Sequence, residues 1–258
     1  MKKSDLQSLL ETWYHKTNQT VFIKSDPICV PHRYTKLQDI EIAGFFAAIM
    51  AWGNRTTIIN KCTYLLKLMD DSPHDFICNA QDTDMKRFEG FVHRTLNDTD
   101  VLYLIAFLRQ WYRSHTSLET AFSDGMTPKD ENVKMGLVHF NEQVFSIQPV
   151  SDRTRKHIAN PLKKSACKRL NMYLRWMVRK DPSGVDFGVW TTISPAQLVC
   201  PLDVHVQRVA ASLDMLHRKQ SDWEAAVQLT EALKTFDKFD PVKYDYALFG
   251  LGLSGYGK

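Results

Sequence analysis

Apolar residues recur at helical spacing along most of the chain. The stretch DTDVLYLIAFLRQWYRSH (98–115) opens with acidic residues, and its apolar side chains then fall three or four positions apart, which predicts an amphipathic helix. SDWEAAVQLTEALKTF (221–236) places Ser221 and a glutamate at the spacing of a capping box, and DPVKYDYALFGLG (240–252) opens with an Asp-Pro pair typical of a helix start. Only VFIK, near residue 21, shows a strand pattern, and that pattern is weak. The pattern therefore predicts an all-α fold.

A further helical pattern separates apolar from basic residues. In KKSACKRLNMYLRWMVRK (163–180), one predicted face is apolar, and the opposite face carries the cations Lys164, Lys168, Arg175 and Arg179. The wider segment 151–180 holds ten Lys and Arg residues and one acid, so it carries +9, whereas the whole chain carries +4. Such a basic stripe is typical of a protein that binds polyanions, and a solvated helix face is the alternative.

Composition narrows the class of protein. With 258 residues, of which 44% are hydrophobic, the chain is long enough to bury a sizeable core. No apolar run follows MKKSDLQ, so a secretory signal is not expected, and the longest apolar stretch, Ile42–Gly53, predicts a buried helix too short to span a bilayer. The five cysteines are scattered without a C-x-x-C pair, which favours reduced thiols and argues against a structural zinc or a cysteine-bound cluster. We therefore expect a cytoplasmic protein without a cofactor or bound metal.

Two glycine motifs near the end of the sequence are discounted. GLGLSG (250–255) matches G-x-G-x-x-G, and the segment from Gly252 to Lys258 begins like a P-loop. Both motifs need a strand before the glycines and a helix after them. Here a helix is predicted before them, so we interpret them as a tail.

The segment CPLDVHVQRVAASLDML (200–216) holds the candidate chemistry. Its apolar spacing predicts a helix that begins near Val204 with Asp203 as N-cap, where a carboxylate bonds free backbone N–H groups and meets the positive end of the helix dipole. That position explains the aspartate structurally. It also keeps the carboxylate ionised and fixed in direction, so that it can stabilise a developing cation if a nucleophile faces it.

The residues Leu-Asp-Val-His-Val-x-Arg-Val of this segment resemble the V-D-x-H-[VI]-x-R-[VI] segment of the helix-hairpin-helix DNA glycosylase superfamily. The resemblance implies that Asp203 is the catalytic carboxylate. GFFAAIMAWGNRTTIINKCTYLL (44–66) is similar to an early helix–loop–helix of the same superfamily, which implies that the loop Trp52–Arg55 probes the gap left by an extruded base. YDYALFGLG resembles the closing helix. The whole chain resembles an uncharacterised bacterial family that forms a remote branch of these enzymes.

Departures from the superfamily pattern bear on the nucleophile. The Leu-Pro-Gly-Val-Gly hairpin and the catalytic lysine expected before the Asp helix are absent, since that region reads KDPSGVDFGVW, and the closing cysteines of the iron–sulfur type are absent as well. The archaeal 8-oxoguanine glycosylases have an unusual hairpin and a lysine that opens a helix further upstream. CKRLNMYLRWMV is similar to that helix and implies that Lys168, 35 residues before Asp203, is the nucleophile, with Lys163 and Lys164 as alternatives.

By this resemblance the protein is a monomeric DNA repair glycosylase, with AP-lyase activity if a lysine is the nucleophile, that removes an oxidised base such as 8-oxoguanine from double-stranded DNA. Two helical lobes are expected, at about residues 40–150 and at residues 1–39 plus 151–258, with a cleft between them. The residues expected to contact DNA are Asn54, Arg55, Lys163, Lys164, Arg169, Arg175 and His205. Trp52 and Trp190 are candidates for the base pocket, and tryptophans that pack helices are the alternative.

Two other functions fit the same residues. A relative of this fold that binds DNA or senses lesions without catalysis would use the basic segment, and Lys168 would then contact a phosphate. A small-molecule enzyme that uses Asp203 and His205 with a metal is a weaker alternative, because the sequence shows no third ligand at a metal-site spacing.

Overall fold

The computed structural model describes residues 2–257 and is mostly helical, so the predicted all-α class is confirmed. Strands β1 (Val92–His93) and β2 (Leu96–Asn97) form one antiparallel hairpin. No helix among the described residues is long and apolar enough to cross a membrane. The helices are α1 (Lys3–Thr17), α2 (Thr20–Ile23), α3 (Leu37–Ile49), α4 (Arg55–Lys67), α5 (Pro73–Asn79), α6 (Asp98–Tyr112), α7 (Thr120–Ser123), α8 (Lys134–Val144), α9 (Asp152–Arg155), α10 (Lys168–Val178), α11 (Val204–Ser212), α12 (Trp223–Lys234) and α13 (Asp245–Leu253).

The chain forms two compact units that alternate along the sequence. The terminal unit contains the described residues up to Phe22, the segment Pro128–Met135 and the residues from Asn160 onward. The central unit contains Ile23–Thr127 and Gly136–Ala159. The sequence placed the boundaries near residues 40 and 150, so the structure differs in assigning 23–39 and 151–159 to the central unit and 128–135 to the terminal unit.

Specific contacts account for these boundaries in the central unit. The 3-10 turns Pro27–Cys29 and Pro31–Arg33 pack against α3, which keeps the segment before α3 with it. Asp100, in the first turn of α6, accepts a hydrogen bond from Thr154 Oγ1 (2.8 Å) and lies 3.1 Å from His157 Nε2. Because Asp100 is buried, these bonds attach α9 and the nearby His157 to the start of α6.

Backbone and side-chain amides join the segment 128–135 to the terminal unit. Val133 N donates to Gln197 O (3.0 Å), and Gln197 Nε2 donates to Asp130 O (2.9 Å). These reciprocal bonds attach the segment to the 3-10 turn Pro195–Gln197.

The core of the central unit is built around α3. Its residues from Ile40 to Ile49 are all buried, as the apolar stretch predicted, but the helix ends at Ile49 and the residues up to Gly53 form a loop. The buried carboxylate of Glu41 accepts hydrogen bonds from Tyr112 OH (2.8 Å) and Leu118 N (3.1 Å), among others. A buried acid with its acceptors satisfied is compatible with an otherwise apolar helix.

Three local predictions are wrong in detail. The N-cap of α12 is Asp222, whose Oδ1 accepts from Ala225 N (3.0 Å), rather than Ser221. Asp240 precedes only a 3-10 turn, and the α-helix that follows begins at Asp245. The residues of VFIK up to Ile23 are helical and belong to α2.

A buried ion network fixes the terminal unit. Arg179 is 1% exposed, and its guanidinium contacts Asp186 Oδ2 (2.8 Å), Asp240 Oδ2 (2.9 Å) and Tyr14 OH (2.7 Å), the last on α1. Arg175, one turn earlier on α10, is also buried and lies 3.4 Å from Asp186. The prediction that these two arginines form part of an open basic face is therefore wrong, because acids from later in the chain cover and neutralise them.

We expect Arg179→Ala to lower the free energy of unfolding by about 3–5 kcal/mol, since it leaves buried carboxylates without their partner. Lys180→Ala is the matched control, because Lys180 is the next residue along the chain and is exposed. Its effect should stay within ~0.5 kcal/mol. Urea denaturation of both variants measures the difference, and equal midpoints would contradict the structural role of the network.

Candidate active site at the starts of α10 and α11

The carboxylate of Asp203 is fixed by the helix that it caps. Its Oδ1 accepts hydrogen bonds from the backbone N of His205 (2.9 Å) and of Val206 (2.9 Å), as an N-cap aspartate does. Burial alone would raise the pKa of Asp203, but the charge of Lys168 and these two N–H groups outweigh burial and lower the pKa below its usual range. The carboxylate is therefore ionised at neutral pH and held in one direction.

Lys168 opens α10, and its amine reaches Asp203. Lys168 Nζ lies 3.1 Å from Asp203 Oδ2, although the two residues are 35 positions apart in the sequence. The side chains are 36% and 23% exposed, respectively, so a molecule in solution can reach the pair. Cys167, just before Lys168, has a left-handed backbone (φ 49°, ψ 30°) that turns the chain into the helix. The structure thus brings together the carboxylate and the lysine that the sequence singled out.

The two alternative lysines lie outside this pair. Lys163 ends the 3-10 turn Pro161–Lys163, and Lys164 follows with a left-handed backbone (φ +60°); both are exposed. The charge of Lys164 acts instead on Asp222, whose pKa is lowered mainly by a hydrogen bond from Arg218. Within residues 2–257, Lys168 is the lysine that pairs with Asp203.

A buried carboxyl group, that of Asp245, interacts with the pair. Asp245 is the first residue of α13, forms an ion pair with Arg175, and lies with Oδ1 3.9 Å from the thiol Sγ of Cys200. Burial raises the pKa of Asp245 to about 6; the charges of Arg175 and Lys168 lower it, and the charge of Asp203 raises it. Burial also raises the pKa of the Cys200 thiol well above its usual value, which argues against a nucleophilic role for Cys200. Sequence analysis missed Asp245, although an acid within the apolar run YDYALFGLG was a usable signal.

Some predicted DNA and base contacts are buried. Arg175, expected to contact DNA, is 5% exposed and is occupied by Asp186 and Asp245, so it does not reach a phosphate. Trp190, expected in the base pocket, is 2% exposed and packs edge-to-face on Tyr173 with the ring centroids 5.3 Å apart. Both predictions are corrected: Arg175 belongs to the buried ion network, and Trp190 belongs to the core.

Two further predicted contacts lie near the surface of the terminal unit. Arg169 is partly buried, and burial lowers the pKa of its guanidinium, which limits its access to a phosphate. His205 is exposed in the first turn of α11, two residues after Asp203. Its position is compatible with a contact to a phosphate beside the Lys168–Asp203 pair.

The loop predicted to probe DNA belongs to the central unit. Trp52 is 37% exposed, and Gly53 has φ +101°, a conformation that favours glycine. Asn54 caps α4 by accepting from Thr57 N (3.1 Å), and Arg55 is the first residue of that helix. Arg94, in the turn of the β1–β2 hairpin, lies across Gly53, because a Cβ added there would be 2.5 Å from Arg94 Nε. The role of the loop in DNA stays a prediction.

A cationic and aromatic surface adjoins this loop, and sequence analysis missed it. Tyr64 is 49% exposed and stacks on Phe91 with the ring centroids 6.2 Å apart, and Lys61 Nζ lies 5.7 Å from the Phe91 centroid. The segments 50–69 and 91–97 together hold four Lys and Arg residues and no acid. The absence of acids from two separate segments was the available signal.

A metal-dependent mechanism gains no support from the arrangement of side chains. Across residues 2–257, no three His, Cys, Asp or Glu side chains are grouped so that they could hold a metal ion. Asp203 and His205 therefore lack the third ligand that a metal enzyme of the kind considered above would need.

Comparison with known proteins places the chain in a family without assigning a function. No curated protein and no solved structure matches it. The model of a family described as "Protein of unknown function (DUF2400)" matches residues 26–254. Because this match covers most of the 258 residues, the chain belongs to the DUF2400 family.

Proposed function

We propose that the protein is a DNA glycosylase with AP-lyase activity that removes an oxidised base, such as 8-oxoguanine, from double-stranded DNA. The observation that carries the proposal is the 3.1 Å separation of Lys168 Nζ and Asp203 Oδ2 at two helix starts. An amine nucleophile and a fixed carboxylate are the two groups that base excision through a covalent intermediate requires. Both side chains are partly exposed, which a bound sugar also requires.

Asp203 stabilises the positive charge that develops on the sugar. As the bond between the base and C1′ lengthens, the sugar acquires oxocarbenium character, and a preorganised carboxylate lowers the energy of that state. The N–H groups of His205 and Val206 already orient the carboxylate, so little reorganisation is needed during the reaction. Because its pKa is lowered, Asp203 acts here as a fixed charge rather than as a general base.

Lys168 supplies the nucleophile. Its amine loses a proton and bonds to C1′ while the glycosidic bond breaks, and the electron pair of that bond leaves with the base, which takes up a proton. Opening of the sugar ring then gives a Schiff base between Lys168 and C1′. β-Elimination from this intermediate removes a proton from C2′ and breaks the C3′–O bond, so that the 3′ phosphate leaves; this step cuts the DNA strand and accounts for the AP-lyase activity.

Each unit, taken by itself, offers exposed residues suited to contacts with DNA. In the terminal unit, Lys163, Lys164 and His205 are exposed and suited to phosphates, which position DNA without reading its sequence. In the central unit, the loop Trp52–Arg55 offers an aromatic and a cationic side chain. Extruding a base from a duplex costs a few kcal/mol, and a side chain that fills the gap offsets part of that cost.

A DNA-binding relative without catalysis is the second candidate. The exposed ring of Tyr64, with Lys61 Nζ 6.0 Å from its centroid, favours it, because exposed aromatic rings beside cations bind nucleic acid without any catalytic group. Such a protein would bind DNA equally well with or without Lys168 and Asp203.

We expect Lys168→Gln to abolish the borohydride-trapped adduct on a duplex that contains 8-oxoguanine, because the variant lacks the amine that forms the Schiff base. Asp203→Asn should retain the helix cap, since Asn is also a favoured N-cap, and lower the rate of base release by on the order of 10²–10³-fold. Single-turnover assays measure both changes.

Lys164→Gln is the matched control for the nucleophile, since Lys164 is an exposed lysine four residues away. At a protein concentration that saturates the DNA, it should retain the adduct and the rate of base release, because it loses only a phosphate contact and keeps the Lys168 amine. Loss of the adduct in Lys164→Gln but not in Lys168→Gln would contradict the assignment of the nucleophile. The absence of both base release and an adduct across a panel of oxidised, alkylated and deaminated lesions would contradict the proposed enzyme activity.

We expect Arg55→Ala and Arg94→Ala each to weaken duplex binding and to reduce the slope of log K against log salt by about 1, if each cation contacts one phosphate. Arg113→Ala is the control, because Arg113 is an exposed cation of the same unit outside the segments 50–69 and 91–97. Fluorescence anisotropy at several salt concentrations measures the slopes. Equal slopes in all three variants would show that the loop surface does not contact the DNA backbone.

A further inference from the structure

One face of α4 takes no part in the reaction described above and carries an exposed aromatic ring. Tyr64 is 49% exposed, whereas Phe91, on which its ring stacks, is 4% exposed. The two ring planes are 7° from parallel, and their centroids are 6.2 Å apart. A buried ring therefore supports an exposed one, so that Tyr64 presents a flat apolar surface of fixed orientation to solvent.

The β1–β2 hairpin joins this pair of rings to the loop Trp52–Arg55. Phe91 directly precedes β1, and His93 Nε2, within β1, lies 3.0 Å from the backbone oxygen of Met50, two residues before the loop. His93 is buried, so this contact fixes the hairpin to the end of α3. Arg94, the next residue, lies across the loop. The hairpin, the loop and α4 are thus held together within the central unit.

Two lysines flank Tyr64 on α4. Lys61 Nζ lies 6.0 Å from the Tyr64 ring centroid and 5.7 Å from the Phe91 ring centroid. Lys67 follows Tyr64 by three residues, as Tyr64 follows Lys61, and its side chain is exposed. Because residues three apart are neighbours on the surface of a helix, the two lysines and the tyrosine lie in one row along α4. The residues Lys61, Tyr64 and Lys67 are called the Tyr64 surface below.

Acidic residues are absent from the two segments that build this part of the molecule. Residues 50–69 and 91–97 contain no Asp or Glu. The acids that border the two segments are Asp70, Glu89 and Asp98. Asp70 pairs with Arg87 (2.8 Å), and Asp98 is bonded to backbone N–H groups. The charge of the Tyr64 surface is therefore complementary to a polyanion.

A second exposed aromatic ring, in the terminal unit, differs in this respect. Phe239 is 71% exposed, and Lys238 Nζ lies 4.9 Å from its ring centroid. Asp237 and Asp240 flank this pair in the sequence, so negative charge accompanies the ring and the lysine. Phe239 thus provides an internal comparison: it has an exposed ring and a cation, but it lacks the acid-free surroundings of Tyr64.

We propose that the Tyr64 surface binds single-stranded DNA, with an unpaired base stacked on the ring of Tyr64 and phosphates bound by Lys61 and Lys67. A base inside a duplex is covered on both faces by its neighbours, whereas an unpaired base offers a free face to an aromatic ring. The choice of DNA over RNA rests on the proposed function. The inference deepens that function, because it makes DNA with an unpaired stretch the substrate class.

The direct test measures binding of a fluorescein-labelled oligothymidylate to the full-length protein by fluorescence anisotropy. We expect Tyr64→Ala to weaken this binding by about 10-fold or more, because stacking of one base on an aromatic ring contributes that much. Tyr64→Phe keeps the ring and should retain the wild-type affinity. An abasic oligonucleotide of the same length has the phosphates but no bases, so Tyr64→Ala should bind it as the wild-type protein does.

The salt dependence separates stacking from phosphate contacts. Lys61→Gln and Lys67→Gln should each reduce the slope of log K against log salt by about 0.7 on the oligothymidylate, since each removes one phosphate contact to a single strand. Tyr64→Ala should lower the affinity and leave the slope unchanged, because a stacked ring displaces no counterions. Unchanged slopes in both lysine variants would overturn the assignment of the phosphate contacts.

Phe239→Ala is the matched control. It removes an exposed aromatic ring that also lies beside a lysine, and it should leave binding of the oligothymidylate unchanged. Equal losses in Phe239→Ala and Tyr64→Ala would overturn the proposal, as would an equal loss of duplex binding in Tyr64→Ala. Tighter binding of an RNA of the same sequence, with uracil in place of thymine, would overturn the assignment to DNA.

These experiments separate the inference from the function on which it rests, because binding is measured without catalysis. If Tyr64→Ala loses single-strand binding but the wild-type protein excises no lesion, the Tyr64 surface stands and the glycosylase function fails. If lesions are excised but Tyr64→Ala binds the single strand as the wild-type protein does, the function stands and the inference is overturned. If both hold, Tyr64→Ala should raise KM for a lesion in an unpaired stretch and leave kcat unchanged.

Discussion

The start of α11 is the constraint on which the candidate chemistry depends. The backbone N–H groups of His205 and Val206 bind one oxygen of Asp203 and leave the other directed at Lys168. Without the helix cap, the carboxylate would rotate freely and the ion pair would be an ordinary surface contact of little energetic weight. α10 contributes the second half of the constraint, because the helix that begins with Lys168 is anchored further along by buried Arg175 and, just after its last residue, by buried Arg179. The two side chains of the candidate site are thus partly exposed, while the helices that present them are fixed in the core.

Sequence patterns predicted the helices and the cap but not what covers each helix face. The helical class, the start of α6 and the position of Asp203 follow from local spacing, because capping and amphipathic periodicity are properties of neighbouring residues. The pairing of Lys168 with Asp203 followed from the resemblance to a glycosylase segment rather than from spacing. The burial of Arg175 and Trp190 depends on partners brought in by the fold; Arg175, for example, binds Asp245, 70 positions later. No local pattern contains that information.

Charge counted along a segment differs from charge presented in space. The segment 151–180 is the most basic stretch of the sequence, yet two of its arginines are neutralised in the interior. By contrast, the loop after α3 and the β1–β2 hairpin are unremarkable in charge when each is taken alone, and they form a cationic surface because Arg94 folds back across Gly53. Counting the charged residues along either segment alone does not reveal a surface that the two segments form together. The same reasoning explains why the boundaries of the two units, which depend on contacts such as Thr154 with Asp100, were misplaced.

The alternation of the two units along the chain has a consequence for biosynthesis. Helix α1 packs against α13, and the residues of the central unit lie between the two helices in the sequence, so α1 is synthesised long before the helix that covers it. All residues of the central unit precede residue 160, so this unit can collapse before the later helices of the terminal unit are synthesised. Closing the terminal unit then requires a contact of very long sequence separation, which is slow to form. During synthesis, the face of α1 that packs against α13 therefore stays uncovered until α13 has been made.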